Sequence, residues 1–259
     1  MSKTTVGSLP VADRIALAEQ KTNKLVDGLL NLLPVHEANQ IIVYTPRLAS
    51  QIPPSYAAHA FNSFSDSLLR FEVVRLCALF DPCRDDDLEK ESIPAVVGLI
   101  DDPEVLDALI ERARHNYTSG RGEIVMVPEA EHLRESVTAA NEKHEFLRTE
   151  REAKRTLNTL KLAIKKTKAL AASGKLKAVR NVRDKFIAHS LRQTNLEKKE
   201  GVQNMQYGDE KLLLWKAIVI VDALYCGVNG TGFAWKASIN MARRNAAELW
   251  NNCSFQIGR

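Results

Sequence analysis

The chain has little of what disulfide, metal or phosphate-loop chemistry requires. Only four cysteines occur in 259 residues, Cys77, Cys83, Cys226 and Cys253, with no CxxC pair and no metal-ligand spacing. Their scarcity argues against a disulfide framework and points to a reduced, cytoplasmic protein. The twelve glycines are scattered and form no phosphate-cradling loop. HExxH, GxSxG and Cys/His ligand sets are missing too, so no metal and no cofactor is expected. Asp85-Asp86-Asp87 reads as an exposed acidic loop and not as a cation site. Residues 1–10 lack the basic start and apolar core of a signal peptide. The longest late apolar run, Leu212 to Cys226, is broken by Trp215-Lys216 and Asp222. It is too short and polar for a membrane span and reads as a buried helix, so no membrane partner is expected. Internal repeats and low-complexity tracts are also missing.

What remains is a helical sequence with uneven charge. At 45% hydrophobic residues the chain can bury a substantial core. The net charge is only +4, yet residues 143–199 carry seventeen Lys and Arg against five Asp and Glu. That segment therefore holds +12 and the remainder −8. Such asymmetry suits a surface that meets a polyanion; its alternative is a solvated, lysine-rich helix face.

Periodicity predicts helices over residues 11–33, ending at Pro34, then 36–50, ending near Pro53-Pro54. A strong helix follows over 56–80, with Phe61, Phe64, Leu68, Phe71, Val74 and Leu79 among its apolar positions, stopped by Asp81-Pro82. Ser92 before Ile93-Pro94 reads as a helix cap, and Asp101-Asp102-Pro103 repeats that logic for a helix to about Arg114. Residues 117–127 read as a loop with a short extended piece at 124–127. A long, charged, proline-free helical segment covers 129–172 and is free to project from the bundle. Ser173-Gly174 breaks it, and further helices are expected over 175–191, 209–225 and 234–250. The expected organisation is N-terminal helices over 1–54 packing on or preceding a bundle over 55–228, then a C-terminal helix over 229–259.

One segment stands out: Arg180-Asn181-Val182-Arg183-Asp184-Lys185-Phe186-Ile187-Ala188-His189-Ser190. A permanently charged guanidinium near a titratable imidazole is a minimal kit for phosphodiester cleavage. The spacing alone is weak in a chain with six histidines and many arginines. On an ideal helix, Leu176, Val179, Val182, Phe186 and Ile187 form one apolar stripe, with Arg183 near its centre and His189 at its edge. A guanidinium on an apolar face needs an acid or an anion. The structural alternative is an arginine paired with a carboxylate from another helix and a core histidine. His36, His59, His115, His132 and His144 have no neighbouring nucleophile or ligand pattern in the sequence.

Arg183-Asp184-Lys185-Phe186-Ile187-Ala188-His189 resembles the R-x(4–6)-H signature of HEPN domains. The longer form resembles the AbiU-type branch linked to bacterial abortive infection. Upstream, Phe71 to Pro82 with its Arg-Leu…Leu-Phe-Asp pattern, followed by Ser92-Ile93-Pro94, looks like the same branch. The likeness covers roughly residues 55 to 225. It implies an all-α, HEPN-like helical bundle and, in active members, a metal-independent endoribonuclease. His189 is then the general acid/base acting on the RNA 2′-hydroxyl and leaving 5′-oxygen, and Arg183 stabilises the phosphoryl charge. Asp184 orients His189 or Arg183. Lys185, with Arg180 and Lys177 at the periphery, contacts RNA, and the products carry 2′,3′-cyclic phosphate and 5′-hydroxyl ends. The resemblance further implies a homodimer with facing motifs, and an antitoxin or phage-trigger partner. One departure is Leu191, where nucleotidyltransferase-controlled members carry a tyrosine, so control by that route is not expected. Two alternatives stay open: a non-catalytic HEPN-like bundle that binds RNA, a nucleotide or a protein, and a scaffold in which Arg183 and His189 are structural.

Overall fold

A computed structural model of the chain describes residues 5–83, 89–118, 134–188 and 193–257, all helix or connection with no strand among them. The helices are α1 (Val11–Ile42), α2 (Tyr56–Leu79), α3 (Ile93–Ile100), α4 (Pro103–Thr118), α5 (Arg134–Ala171), α6 (Gly174–Val182), α7 (Asn195–Glu200), α8 (Asp209–Asn229) and α9 (Trp235–Trp250). A single π-helical turn, Arg183–Ala188, continues α6. The expected acidic loop at 85–87 and the extended piece at 124–127 lie outside the described residues.

The helix starts follow from local chemistry. Ser55, Ser92 and Ser173 each accept a hydrogen bond from a first-turn amide, at Ala58, Ala95 and Leu176, which satisfies a donor the helix itself cannot. Pro94 sits in the first turn of α3, where its missing N–H costs nothing. The expected end at Pro34 is corrected: α1 runs through it to Ile42. An interior proline costs about 3 kcal/mol. Leu29, Leu32 and Leu33 before it and His36, Asn39 and Ile42 after it are all buried, and that continuous inner face outweighs the lost bond.

α8 is the axis of the bundle, packed by α1, α2, α3, α5 and α6. It runs beyond the expected Tyr225 to Asn229 and closes on Gly230, whose φ of 72° is the left-handed C-terminal geometry glycine adopts most easily. By length and composition it is apolar enough to cross a membrane, which the shorter predicted run was not. Its position within the bundle accounts for that character: Leu213, Leu214, Ala217, Val221, Leu224 and Val228 all lie in the core. Where α8 crosses α5 only glycine fits, because a Cβ at Gly227 would stand 2.6 Å from Leu160 Cγ. Gly227→Ala is therefore expected to destabilise the protein by about 1–3 kcal/mol through overpacking, read by chemical denaturation.

α2 buries a different face from the one expected. Of the expected positions Phe64 and Phe71 are exposed while Leu79 is buried, and the core side is Val73, Leu76, Cys77, Leu79 and Phe80, with Glu72 fully buried among them. The N-terminal half of α2 meets the chain end, with Phe61 on Phe255 and Phe64 near Trp250. α5 packs on α4 and α8 through Ala153, Leu160, Ala163 and Ile164, and is mostly exposed over residues 136–148.

Candidate active site

The end of α2 meets α6 and its π turn, and two arginines fill the junction. Arg180 Nη2 donates to the Phe80 carbonyl, placing a cation where the α2 dipole is negative. Arg180 Nε is buried without a partner. Burial lowers the Arg180 pKa from its ordinary value, and neighbouring Cys77 and Asp81 partly offset this. Arg183 reaches the same junction. Its Nε donates to Asp184 Oδ1 at 2.8 Å and its Nη1 to Asp81 Oδ1 at 2.9 Å. Burial alone would lower the Arg183 pKa, but these two carboxylates outweigh it and raise the value. The guanidinium is fixed in charge and in orientation. Cys77 lies beneath the pair; burial pushes its thiol up to about 12 against the pull of both arginines, so it remains a neutral, inert packing group.

The π turn changes the face that follows Arg183. Hydrogen bonds five residues apart widen the turn and rotate later side chains relative to an α-helix. Phe186, expected in the apolar stripe, is accordingly exposed, while Val182 and Ile187 pack against the core. The ideal-helix projection therefore fails at Phe186 and holds at Ile187. π turns of this kind recur at functional sites.

A second network braces the turn. Asn181 Nδ2 and Lys185 Nζ both donate to Glu197 Oε1, at 2.9 and 2.8 Å, and the Thr194 hydroxyl donates to Asn181 Oδ1. Thr194 and Glu197 also form a reciprocal capping box at the start of α7. The Lys185 bond, then that from Asn181, depresses the Glu197 pKa to about 2. A depressed carboxylate stabilises the fold above its unfolded pKa, and the contribution disappears as pH falls through the folded value. The melting-temperature gap between wild type and Glu197→Gln should thus be constant above about pH 5.5 and close as the pH is lowered towards 2, followed by circular dichroism.

The HEPN family AbiU2 matches this chain over residues 19–249. The chain belongs to that family. The match runs from within α1 almost to the end of α9, wider than the stretch covered by the motif-level resemblance, and places the chain among HEPN-type abortive-infection proteins. No curated protein and no solved structure matches.

In this AbiU2-family chain the structure brings Arg183 and Asp184 into direct contact, with Arg180 beside them. Lys185 is held by Glu197, and Lys177 is half-buried on α6. His189, Ser190 and Leu191 lie outside the described residues; the π turn ends at Ala188, immediately before His189. Sequence reasoning took Asp81 as a helix stop and as the end of the Arg-Leu…Leu-Phe-Asp pattern, and gave it no role at the site. Its partnership with Arg183 was signalled by the need of an inward guanidinium for an acid from another helix. Among the described residues no cluster of His, Cys, Asp and Glu is arranged to hold a metal.

Proposed function

We propose that this protein is a metal-independent endoribonuclease of the HEPN type, a toxin-like cytoplasmic effector of abortive infection. His189 removes the proton from the RNA 2′-hydroxyl and protonates the leaving 5′-oxygen, the two duties of a general base and acid. Arg183 meets the charge that develops on the phosphoryl oxygens. The observation that carries the reading is the state of Arg183. A guanidinium has five N–H donors, and Asp81 and Asp184 engage only the Nε–H and one on Nη1. The fork is oriented by two acids while its outer donors meet no acceptor among the described residues and can turn to a phosphate, and the side chain is 25% exposed. Asp81 and Asp184 are positioning residues. The basic stretch from Lys143 to Lys199 supplies salt-dependent, sequence-neutral affinity for RNA. Two copies with facing motifs complete the cleft, and a phage trigger or antitoxin controls it.

The double carboxylate clamp also suits a second reading, a bundle that binds RNA without cutting it. Expression in a bacterium separates the two. Wild type should arrest growth with visible RNA breakdown, and His189→Ala should do neither; equal growth arrest from both would remove His189 from the chemistry.

A further inference from the structure

α1, α8 and α9 enclose a second cavity, of about 400 Å³, built from residues that the ribonuclease reading does not use. His36 lines it, although only 2% exposed. Its Nδ1 lies 2.6 Å from Glu72 Oε1, and Asn39 Nδ2 donates to the other oxygen, Oε2, at 2.6 Å. An ionised carboxylate only accepts, so Nδ1 carries the proton and Nε2 is the nitrogen left for the cavity. Nε2 makes no hydrogen bond within the described chain. A buried histidine oriented by a fully buried carboxylate, with its free nitrogen at a cavity, is costly as packing alone.

The other walls define what fits. Lys211 lines the cavity and makes no ion pair among the described residues. Arg243 lines it as well, loosely forked on Glu37 at 3.3 and 3.4 Å. The lining itself carries one net positive charge, Lys211 and Arg243 against Glu37, with Glu72 behind His36 and outside the lining. Ammonium and guanidinium are the donors that recognise a phosphate, and Nε2, bare in this tautomer, accepts from the P–OH of a singly ionised phosphate. Trp215 with Ile41 and Ala247 forms an apolar wall beside them. The volume lies within the range of small-molecule sites, which in bundles form between helices. We propose that this cavity binds a small organic phosphate monoester, with its phosphate on Lys211, Arg243 and His36 Nε2 and its apolar part on Trp215.

The test is calorimetric titration of the purified full-length protein with phenyl phosphate, and with inorganic phosphate in a parallel arm. Phenyl phosphate should bind with a Kd of about 1 mM or tighter, and inorganic phosphate about tenfold more weakly. Lys211→Ala, an exposed change that spares the core, should weaken phenyl phosphate about tenfold, and Trp215→Leu should erase the advantage over inorganic phosphate. No heat from either compound at about 10 mM, or equal affinity in wild type and Lys211→Ala, overturns the proposal. Equal binding of the two compounds overturns the organic ligand and leaves a phosphate site. Arg183→Ala should leave this binding unchanged, so the outcome is independent of the ribonuclease reading.

Discussion

Arg183→Ala is expected to lower RNA cleavage by about 10²–10³-fold, the scale for removing one preorganised donor to developing charge. Its effect on folding should be far smaller. Arg183, Asp81 and Asp184 are all partly exposed, with side chains 25%, 35% and 31% accessible, so water can take over the acids when the cation is gone. Pairs of that exposure contribute about 1 kcal/mol or less. A loss of activity a hundredfold larger than any loss of folded protein thus distinguishes a catalytic guanidinium from a structural one. Asp81→Asn should fall between wild type and Arg183→Ala, with about a tenfold loss, because Asp184 still holds Nε while Nη1 is released. Single-turnover cleavage rates beside denaturation curves for both variants give the comparison. If Arg183→Ala instead unfolds the protein and leaves the activity of the folded fraction intact, the arginine belongs to the scaffold.

Glu72→Ala carries the largest expected effect on stability. Glu72 is fully buried, and its two oxygens engage His36 and Asn39, which are 2% and 0% exposed. Truncation leaves buried His36 Nδ1 without its partner, reduces Asn39 Nδ2 to a long bond of 3.4 Å to the Leu68 carbonyl, and opens a void where the carboxylate stood. Stranding a partner in a buried polar pair costs about 3–5 kcal/mol. For a domain of this size that lowers Tm by roughly 6–20 °C. The Asn39 carbonyl oxygen is already buried without a partner, so the site has no reserve with which to absorb the loss. A fall of less than about 1 kcal/mol would mean that water reaches these groups and the trio is not a closed network.

These two predictions rest on features of unequal visibility in the sequence. Ser92 announced a helix start because a cap is a short-range device, a hydroxyl reaching an amide three residues on, and Ser173, read only as a break, caps α6 in the same way. The all-α class followed from periodicity for the same reason, as each helix states its pattern within a few turns. The continuation of α1 through Pro34 was hidden, since the face that outweighs the proline is supplied by other helices. The inward face of α2 was misjudged because the fully buried residue is Glu72, while Phe64 and Phe71 stay outside. Aromatic content marks a core face only when no buried polar network competes for it.

The site shows the same division. Arg183 and Asp184 were legible as neighbours on one turn, and the structure bonds them. Asp81 was legible only as a demand for an acid from another helix, 102 positions away. The π turn was not legible, because nothing in Arg-Asp-Lys-Phe-Ile-Ala departs from helix-forming composition. The His36–Glu72 pair joins two helices 36 residues apart, so no spacing rule reaches it.

The most direct test of the account is the chemistry of the RNA ends left by purified protein in excess chelator. An attack by the 2′-hydroxyl, with His189 moving the protons and Arg183 bearing the charge, leaves 2′,3′-cyclic phosphate and 5′-hydroxyl termini. The account predicts those ends from wild type, undiminished by chelator, and none from His189→Ala. Cleavage that stops with chelator, that leaves 5′-phosphate ends, or that persists unchanged in His189→Ala would contradict it.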